Sequence, residues 1–325
     1  MKVLSVKNLH ASYITEVFGI NRTVKAVNNV NLDIYENEIY GIAGESGCGK
    51  TTLIKILTGT YKPPLIVSEG EVIYDPENTT VQLLSSNKKK INDLKWKYMS
   101  YIPQGSMNVL NPLQKIKKSF YQFIKAHDKN ISKGSLDDMI KNHFVSLGLK
   151  PSIADMYPHQ LSGGMKQRVT IGLATVLAPK ISIGDEPTTA LDVIVQRGVI
   201  QLFKNINQNH KTSFIIVTHD LSVHANLATR IGIMYAGQIV EEGSTTKIFN
   251  SPKHPYTQFL IDSLPSIGDR KIIKNIPGSP PPLDNLPLGC SFYPRCPISS
   301  EKCRTEKPVF LNIDEGQKSA CHNIN

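Results

Sequence analysis

The chain has 325 residues, 37 Lys and Arg against 27 Asp and Glu (net charge +10), 40% hydrophobic residues and one Trp. That length buries an ordinary core as one large domain or two smaller ones, and the composition excludes a disordered chain, a collagen and a small disulfide scaffold. No stretch approaches the roughly 18 consecutive apolar residues of a membrane span, and the N-terminal MKVLSVKNLH has no signal-peptide core. The expectation is a soluble chain on the side of the membrane where it is made.

In chain order, VLSVKNL, AVNNVNLDI and, further on, GEVIYD read as strands of an antiparallel β part. Between the second and third, Glu38 to Gly44 (EIYGIAG) reads as a short buried strand. It runs into Gly44-Glu-Ser46-Gly47-Cys48-Gly49-Lys50-Thr51 and then the helical pattern Thr52 to Gly59. This is G-x-x-x-x-G-K-T in its strand–loop–helix setting, a phosphate loop. Its glycines let backbone N–H groups turn around phosphates, and the helix N-terminus adds anion affinity. Lys50 is expected on the β- and γ-phosphates and Thr51 on Mg²⁺. Cys48 occupies a variable loop position as a small filler that could make ATP binding sensitive to thiol modification.

Charge is concentrated next. Residues 85 to 133 carry 11 Lys and two acids, Asp93 and Asp128, so the rest of the chain is nearly neutral. This is either a solvated surface or an electrostatic footprint for nucleic acid or anionic lipid. Within it, Ile116, Phe120, Phe123 and Ile124 are spaced for a helix. Leu161-Ser162-Gly163-Gly164-Met-Lys-Gln-Arg168 then opens an amphipathic run, a second anion-binding turn of the phosphate-loop type. One nucleotide seldom needs two such sites, so the second is expected to serve the nucleotide of a partner subunit. Lys180-Ile-Ser-Ile-Gly-Asp185-Glu186 is an apolar strand ending in two carboxylates. Asp185 is placed to bind Mg²⁺ through water, and Glu186 to orient and polarise the attacking water. Arg230 to Gly243 reads as two strands joined at Ala236-Gly237.

These motifs closely resemble those of the ATP-binding-cassette (ABC) ATPases, with Met165 where the signature usually has Gln. The resemblance spans residues 1 to about 250 and carries further roles with it. Gln104 in YIPQ resembles the glutamine that contacts Mg²⁺ and senses the γ-phosphate. Asp192 in Ala-Leu-Asp resembles the residue crossing the dimer interface, and His219 the switch histidine at the γ-phosphate. Tyr13 resembles the aromatic residue stacked on adenine. The resemblance implies an α/β fold: a RecA-like parallel core with an antiparallel β part and an inserted helical subdomain over 105–165. It also implies ATP hydrolysis in a head-to-tail cassette dimer, each ATP lying between one phosphate loop (Gly44, Ser46 to Thr52) and the other subunit's Ser162, Gly163 and Gly164.

The last 75 residues differ in kind, holding 11 of 20 prolines and four of five cysteines. A boundary is expected near Ser251-Pro252. The HPYT segment at 254–257 and Gly289-Cys290-Ser-Phe-Tyr-Pro-Arg-Cys296-Pro resemble the C-terminal extension of the peptide/nickel importer ATPases. That branch implies an importer of dipeptides, oligopeptides or a related solute such as nickel or an oligosaccharide, with the chain on the cytoplasmic face of the membrane. It implies two transmembrane permease subunits, a second ATPase subunit that is a homologue rather than a copy, and, indirectly, an extracytoplasmic solute-binding protein. No nucleic acid is expected, although a soluble cassette acting on nucleic acid or ribosomes is the alternative reading. Cys290, Cys296, Cys303 and Cys321 lack the paired spacing of a zinc ribbon. Some members of this branch hold a [4Fe-4S] cluster on such a set, with zinc or unligated thiols as the alternatives.

Overall fold

The structure, a computed structural model, describes residues 1–75, 80–105, 109–264 and 276–324. β1 (Lys2–Val17) and β2 (Ile20–Tyr35) form a long antiparallel hairpin, β2 turning Val30, Leu32 and Ile34 inward. β3 (Ile39–Ala43), buried throughout, leads into α1 (Lys50–Leu57). β4 (Leu65–Tyr74) and β5 (Val81–Gln82) complete an antiparallel sheet of order β2-β1-β4-β5. α2 (Lys88–Leu94) and β6 (Met99–Ile102) lead to a helical stretch, α3 (Ile116–His127), α4 (Lys133–Ser146) and α5 (Gly163–Thr175). Ile116, Phe120 and Ile124 of α3 are buried together, and Phe123 packs edge-on to Trp96 with ring centroids 4.8 Å apart.

β7 (Ile181–Asp185), α6 (Val193–His210), β8 (Ser213–Val217) and α7 (Leu221–Leu227) then alternate. β9 (Arg230–Tyr235) and β10 (Gln238–Ser244) follow as a hairpin. Its turn is Ala236-Gly237, both at positive φ (46° and 82°), as hairpin closure favours. α8 (Thr245–Asn250), α9 (Pro255–Asp262), α10 (Glu301–Thr305), β11 (Leu311–Asp314) and β12 (Gln317–Ser319) belong to the end of the chain.

The larger sheet has the order β11-β12-β10-β9-β3-β8-β7-β6. β9, β3, β8, β7 and β6 pair in parallel, and β9/β10, β10/β12 and β12/β11 are antiparallel. Near-continuous apolar strands such as Ser213–Val217 are what a parallel sheet covered on both faces requires. One face carries α1 and the antiparallel sheet, with Leu53, Ile56, Tyr74, Ile183 and Ile215 in a common core. The other carries the helical stretch and α6, through Phe120, Phe144, Phe203 and Phe214. A third core joins Ala43, Ile233 and Tyr235 to Tyr256 and Phe292 near the end of the chain. Because β3, β8 and β7 are parallel neighbours, the residues just beyond them emerge side by side at one edge, where open α/β sheets place their sites.

Three buried histidines make this fold acid-sensitive. Burial depresses His143, His224 and His254 from 6.5 to about 4 each, against hydrogen bonds that favour the charged form. The unfolded chain therefore binds these protons first. Stability is fully present above pH 6.5 and falls between 6.5 and 4, by roughly 1.4 kcal/mol per pH unit for each histidine. Thermal melts should fall steeply below pH 6, and a melting temperature that stays flat from pH 7 to 4.5 would contradict this.

Candidate active site

The loop between β3 and α1 is held by two kinds of contact. The Lys50 side chain is buried, and its Nζ donates to the carbonyls of Gly44 (2.7 Å) and Glu45 (2.9 Å) and to Cys48 Sγ (3.6 Å). The ammonium thus sits inside the ring of loop backbone. Gly49 caps α1 at φ 108°, a conformation that a residue with Cβ avoids. Cys48 is buried, and burial pushes its thiol up despite the nearby Lys50, so it fills space and is poorly placed for thiol modification.

Tyr13 of β1 reaches this loop from the antiparallel sheet, its hydroxyl 3.2 Å from Thr52 Oγ1. A cavity of about 400 Å³ is lined by Tyr13, Val24, Ala26, Ser46, Gly47, Gly49, Lys50, Thr51, Thr52, Glu186 and Leu283. A larger cavity of about 930 Å³ lies elsewhere, between β5, α2 and Ala178–Lys180, and contains none of the motif residues.

The two carboxylates at the end of β7 occupy different environments. Asp185 is buried; its Oδ1 accepts from Thr51 Oγ1 at 3.4 Å, and its Oδ2 is buried without a hydrogen-bond partner. Burial pushes this carboxyl up, against the Thr51 hydrogen bond. A lone buried carboxylate oxygen beside a hydroxyl is a donor set that suits a hard divalent cation. Glu186 has φ 48°, costing roughly 1–2 kcal/mol for a residue with Cβ, and its N–H donates to Val217 O at 2.8 Å. Its carboxylate meets His219 Nδ1 at 3.0 Å on Oε1, and Thr189 Oγ1 at 2.9 Å and Gln104 Nε2 at 3.4 Å on Oε2. Burial raises the carboxyl, but the hydrogen bonds from His219 and Thr189 and the charges of His219 and Lys50 outweigh it and hold it below its ordinary value. Glu186 is therefore an oriented, ionised carboxylate. Thr189 was not among the residues singled out from the sequence.

The remaining predicted residues stand apart from this cavity. Ser162 caps α5, its Oγ accepting from Met165 N–H at 3.3 Å, and Asp192 caps α6, accepting from Ile194 and Val195 N–H. A Cβ on Gly164 would fall 2.5 Å from Val195, so the two helix starts are in contact. Beside them Val193 and Ile194 are 65% and 83% exposed.

The loop is also held by residues of the two tail segments singled out from the sequence, Tyr256 of HPYT and Arg295 just before Cys296, although nothing in those segments announced a contact with the loop. Tyr256 Oη accepts from Glu45 N–H at 2.9 Å. Arg295 bonds Glu45 with both Nη atoms, at 2.8 and 3.0 Å. Burial disfavours the guanidinium charge, but the bonds to Glu45 and Tyr235 hold it firmly protonated. The four tail cysteines share one region of the tail: Cys290 N–H donates to Cys303 O, and the charge of one thiolate would raise the others. Burial is the main reason that Cys290 is pushed up to about 11 and that Cys296 and Cys321 are raised. Among the described residues, no three His, Cys, Asp or Glu side chains are grouped as a metal site would need.

Residues 27–189 match the ABC transporter family, and residues 240–303 match the oligopeptide/dipeptide transporter C-terminal region. The chain is 39% identical to the dipeptide transport ATP-binding protein DppD of Caldanaerobacter subterraneus subsp. tengcongensis over 98% of this chain and 96% of the relative. It is 35% identical to Escherichia coli (strain K12) DppD, over 92% and 90%, and to Haemophilus influenzae oligopeptide transport ATP-binding protein OppD, over 98% and 96%. Among solved structures, the cassette MJ0796, as a dimer in a post-hydrolysis state bound to ADP and Pi, aligns with TM-score 0.62 and 27% identity over 74% of this chain and 98% of its own. The strand order, the loop after β3 and these matches agree: the chain belongs to the ABC transporter ATP-binding proteins and carries the C-terminal region of their oligopeptide/dipeptide members.

Proposed function

We propose that this chain is the ATP-hydrolysing subunit of an ABC importer for dipeptides or oligopeptides. The observation carrying this reading is the convergence of the phosphate loop with Glu186 and His219, in a chain whose end matches the oligopeptide/dipeptide transporter region. In it, residues 1–250 are the cassette, 105–165 its helical subdomain and 251–325 the importer-type extension. Residues 76–79, 106–108, 265–275 and 325 of these segments lie outside the described residues.

Loop N–H groups and Lys50 hold the triphosphate, Tyr13 takes the adenine, and Glu186 orients the attacking water, itself held by His219 and Thr189. Thr51, Asp185 and Gln104 hold Mg²⁺, which neutralises charge at the phosphates. Ser162, Gly163 and Gly164 serve the nucleotide of a second, homologous cassette, and Asp192 belongs to the interface with it. The exposed Val193 and Ile194 beside them are suited to an interface. No helix among the described residues is long and apolar enough to cross a membrane, and the proposal assigns the spans to two permease subunits. Reconstitution with those subunits and a solute-binding protein tests it. Peptides should raise ATP turnover several-fold; stimulation by nickel or an oligosaccharide alone would reassign the solute.

Two finer readings accompany this one. Lys88, Lys89 and Lys90, exposed on α2, belong to a membrane-proximal basic surface near anionic headgroups. Their reversal to Glu should lower recovery with permease-containing membranes; unchanged recovery would make them a solvated face. The four tail cysteines, Cys290, Cys296, Cys303 and Cys321, in a chain whose end matches the oligopeptide/dipeptide transporter region, support a cluster-binding role for the tail, although among the described residues the thiols are not grouped as ligands. Anaerobically purified protein should then contain about four irons and four sulfides per chain. Colourless protein would return these residues to thiols or, with stoichiometric zinc, to a zinc site.

A further inference from the structure

The cavity beside the phosphate loop has a wall from an unexpected quarter. Leu283 lines it together with Tyr13, Val24 and Ala26. Two contacts pin this part of the tail to β2, the strand that carries Val24 and Ala26. Leu283 O accepts from Lys25 N–H at 2.9 Å, and Asp284 Oδ2 pairs with Arg22 Nε at 2.6 Å. On its other side Leu283 packs against the core containing Tyr235, Tyr256 and Phe292. Pro280, Pro281 and Pro282, whose fixed φ stiffens the approach, face Glu45–Cys48 across a smaller cavity of about 200 Å³.

The second anchor is electrostatic. Glu45 places a carboxylate at the second position of a loop built to hold an anion, where an unpaired negative charge would oppose a triphosphate. Arg295 meets it with a two-pronged ion pair and is fixed by further bonds to Pro277 O (2.8 Å) and Tyr235 Oη (3.3 Å). Its side chain is 4% exposed and that of Glu45 26%, so the pair is only partly open to water and salt. Tyr256 holds the same residue through its backbone N–H.

We propose that the C-terminal extension is a structural part of the nucleotide site, with Leu283 contacting the base end of the bound nucleotide and Arg295 positioning the phosphate loop through Glu45. An apolar leucine beside Tyr13 suits the face of a heteroaromatic base and offers nothing to phosphate. Arg295 touches the loop and not the cavity, so it acts on the phosphates only through Glu45. The inference rests on the ATPase reading above.

The test compares affinities of the full-length chain for Mg-ATP and for inorganic tripolyphosphate, which has no base. Leu283→Ala should weaken ATP about fivefold and leave tripolyphosphate unchanged. Arg295→Lys, which keeps the charge but not the two-pronged geometry, should weaken both ligands about equally. Adding Glu45→Gln to it should cause little further loss, because the two residues act as one unit. Unchanged ATP affinity in Leu283→Ala, or equal loss of both ligands, would overturn the role of Leu283. That variant tests the proposal even if Arg295→Lys folds poorly. Wild-type protein that binds neither ligand would overturn the ATPase reading, and this inference with it.

Discussion

Glu186→Gln should bind ATP as tightly as the wild type and lose nearly all turnover. The glutamine is isosteric, so its oxygen can still accept from His219 or Thr189, whose donors lie 3.0 and 2.9 Å from the native carboxylate. What disappears is the negative charge that polarises water, on a carboxyl whose neighbours hold it ionised. General-base contributions of this kind are worth about 10²–10⁴-fold. We expect kcat to fall about 10³-fold, a loss of about 4 kcal/mol in transition-state stabilisation, with KM within about threefold of wild type. Steady-state phosphate release and equilibrium nucleotide binding on the same preparation separate the two effects. A variant that turns over within tenfold of the wild type would remove Glu186 from the reaction.

Gly49→Ala should damage binding and folding together. A Cβ there would lie 2.0 Å from Ala26 O and 3.0 Å from Met234 Cε, on a backbone already at φ 108°. Ala26 cannot retreat easily: its strand is paired with β1, and the next strand residue but one, Asn28, donates its N–H to Gly237 O at 2.8 Å. The loop must move instead, taking the start of α1 with it. ATP affinity should fall at least about 100-fold, or about 2.7 kcal/mol, with a melting temperature lower by several degrees. Gly47→Ala is the control. Its φ of 81° carries the same kind of backbone strain, but a Cβ there meets nothing within 4 Å, so its effects should be clearly smaller. Equal losses in the two variants would mean that backbone strain, and not the approach of Ala26, governs the loop.

The parts of this site legible in the sequence were those whose chemistry is local. The loop from Gly44 to Thr51 announces itself because strand, glycines, lysine and helix are contiguous, and β3 and α1 fall where the pattern put them. Asp185 and Glu186 were legible for the same reason, at the end of a short apolar strand. Gln104, His219 and Tyr13 rested on resemblance, since their neighbours in space are distant in sequence. Thr189 was missed, although it lies three residues from Glu186, because a threonine in a Thr-Thr pair has no distinctive pattern. The tail contacts were invisible for a different reason. Glu45 and Arg295 are separated by 250 positions, and nothing in a single sequence says which strands become neighbours. One local hint existed: a carboxylate inside an anion-binding loop calls for a cation somewhere, and Arg295 supplies it.

The placement of β12 has a consequence for any attempt to isolate the cassette. β10 is paired on one side with β9 and on the other with β12, through Glu241–Ser319, Glu242–Lys318 and Gly243–Gln317. Cutting the chain after residue 250 would strip that second partner and leave a seven-residue strand containing Ile239 and Val240 with a row of unpaired N–H and C=O groups. Such an edge is a template for pairing with another chain. The intact protein ends its sheet instead on β11, four residues long, largely exposed and carrying Asn312 and Asp314. The hairpin at the end of the chain therefore acts as a guard against self-association, and the shortened chain should precipitate at concentrations where the whole one stays dispersed.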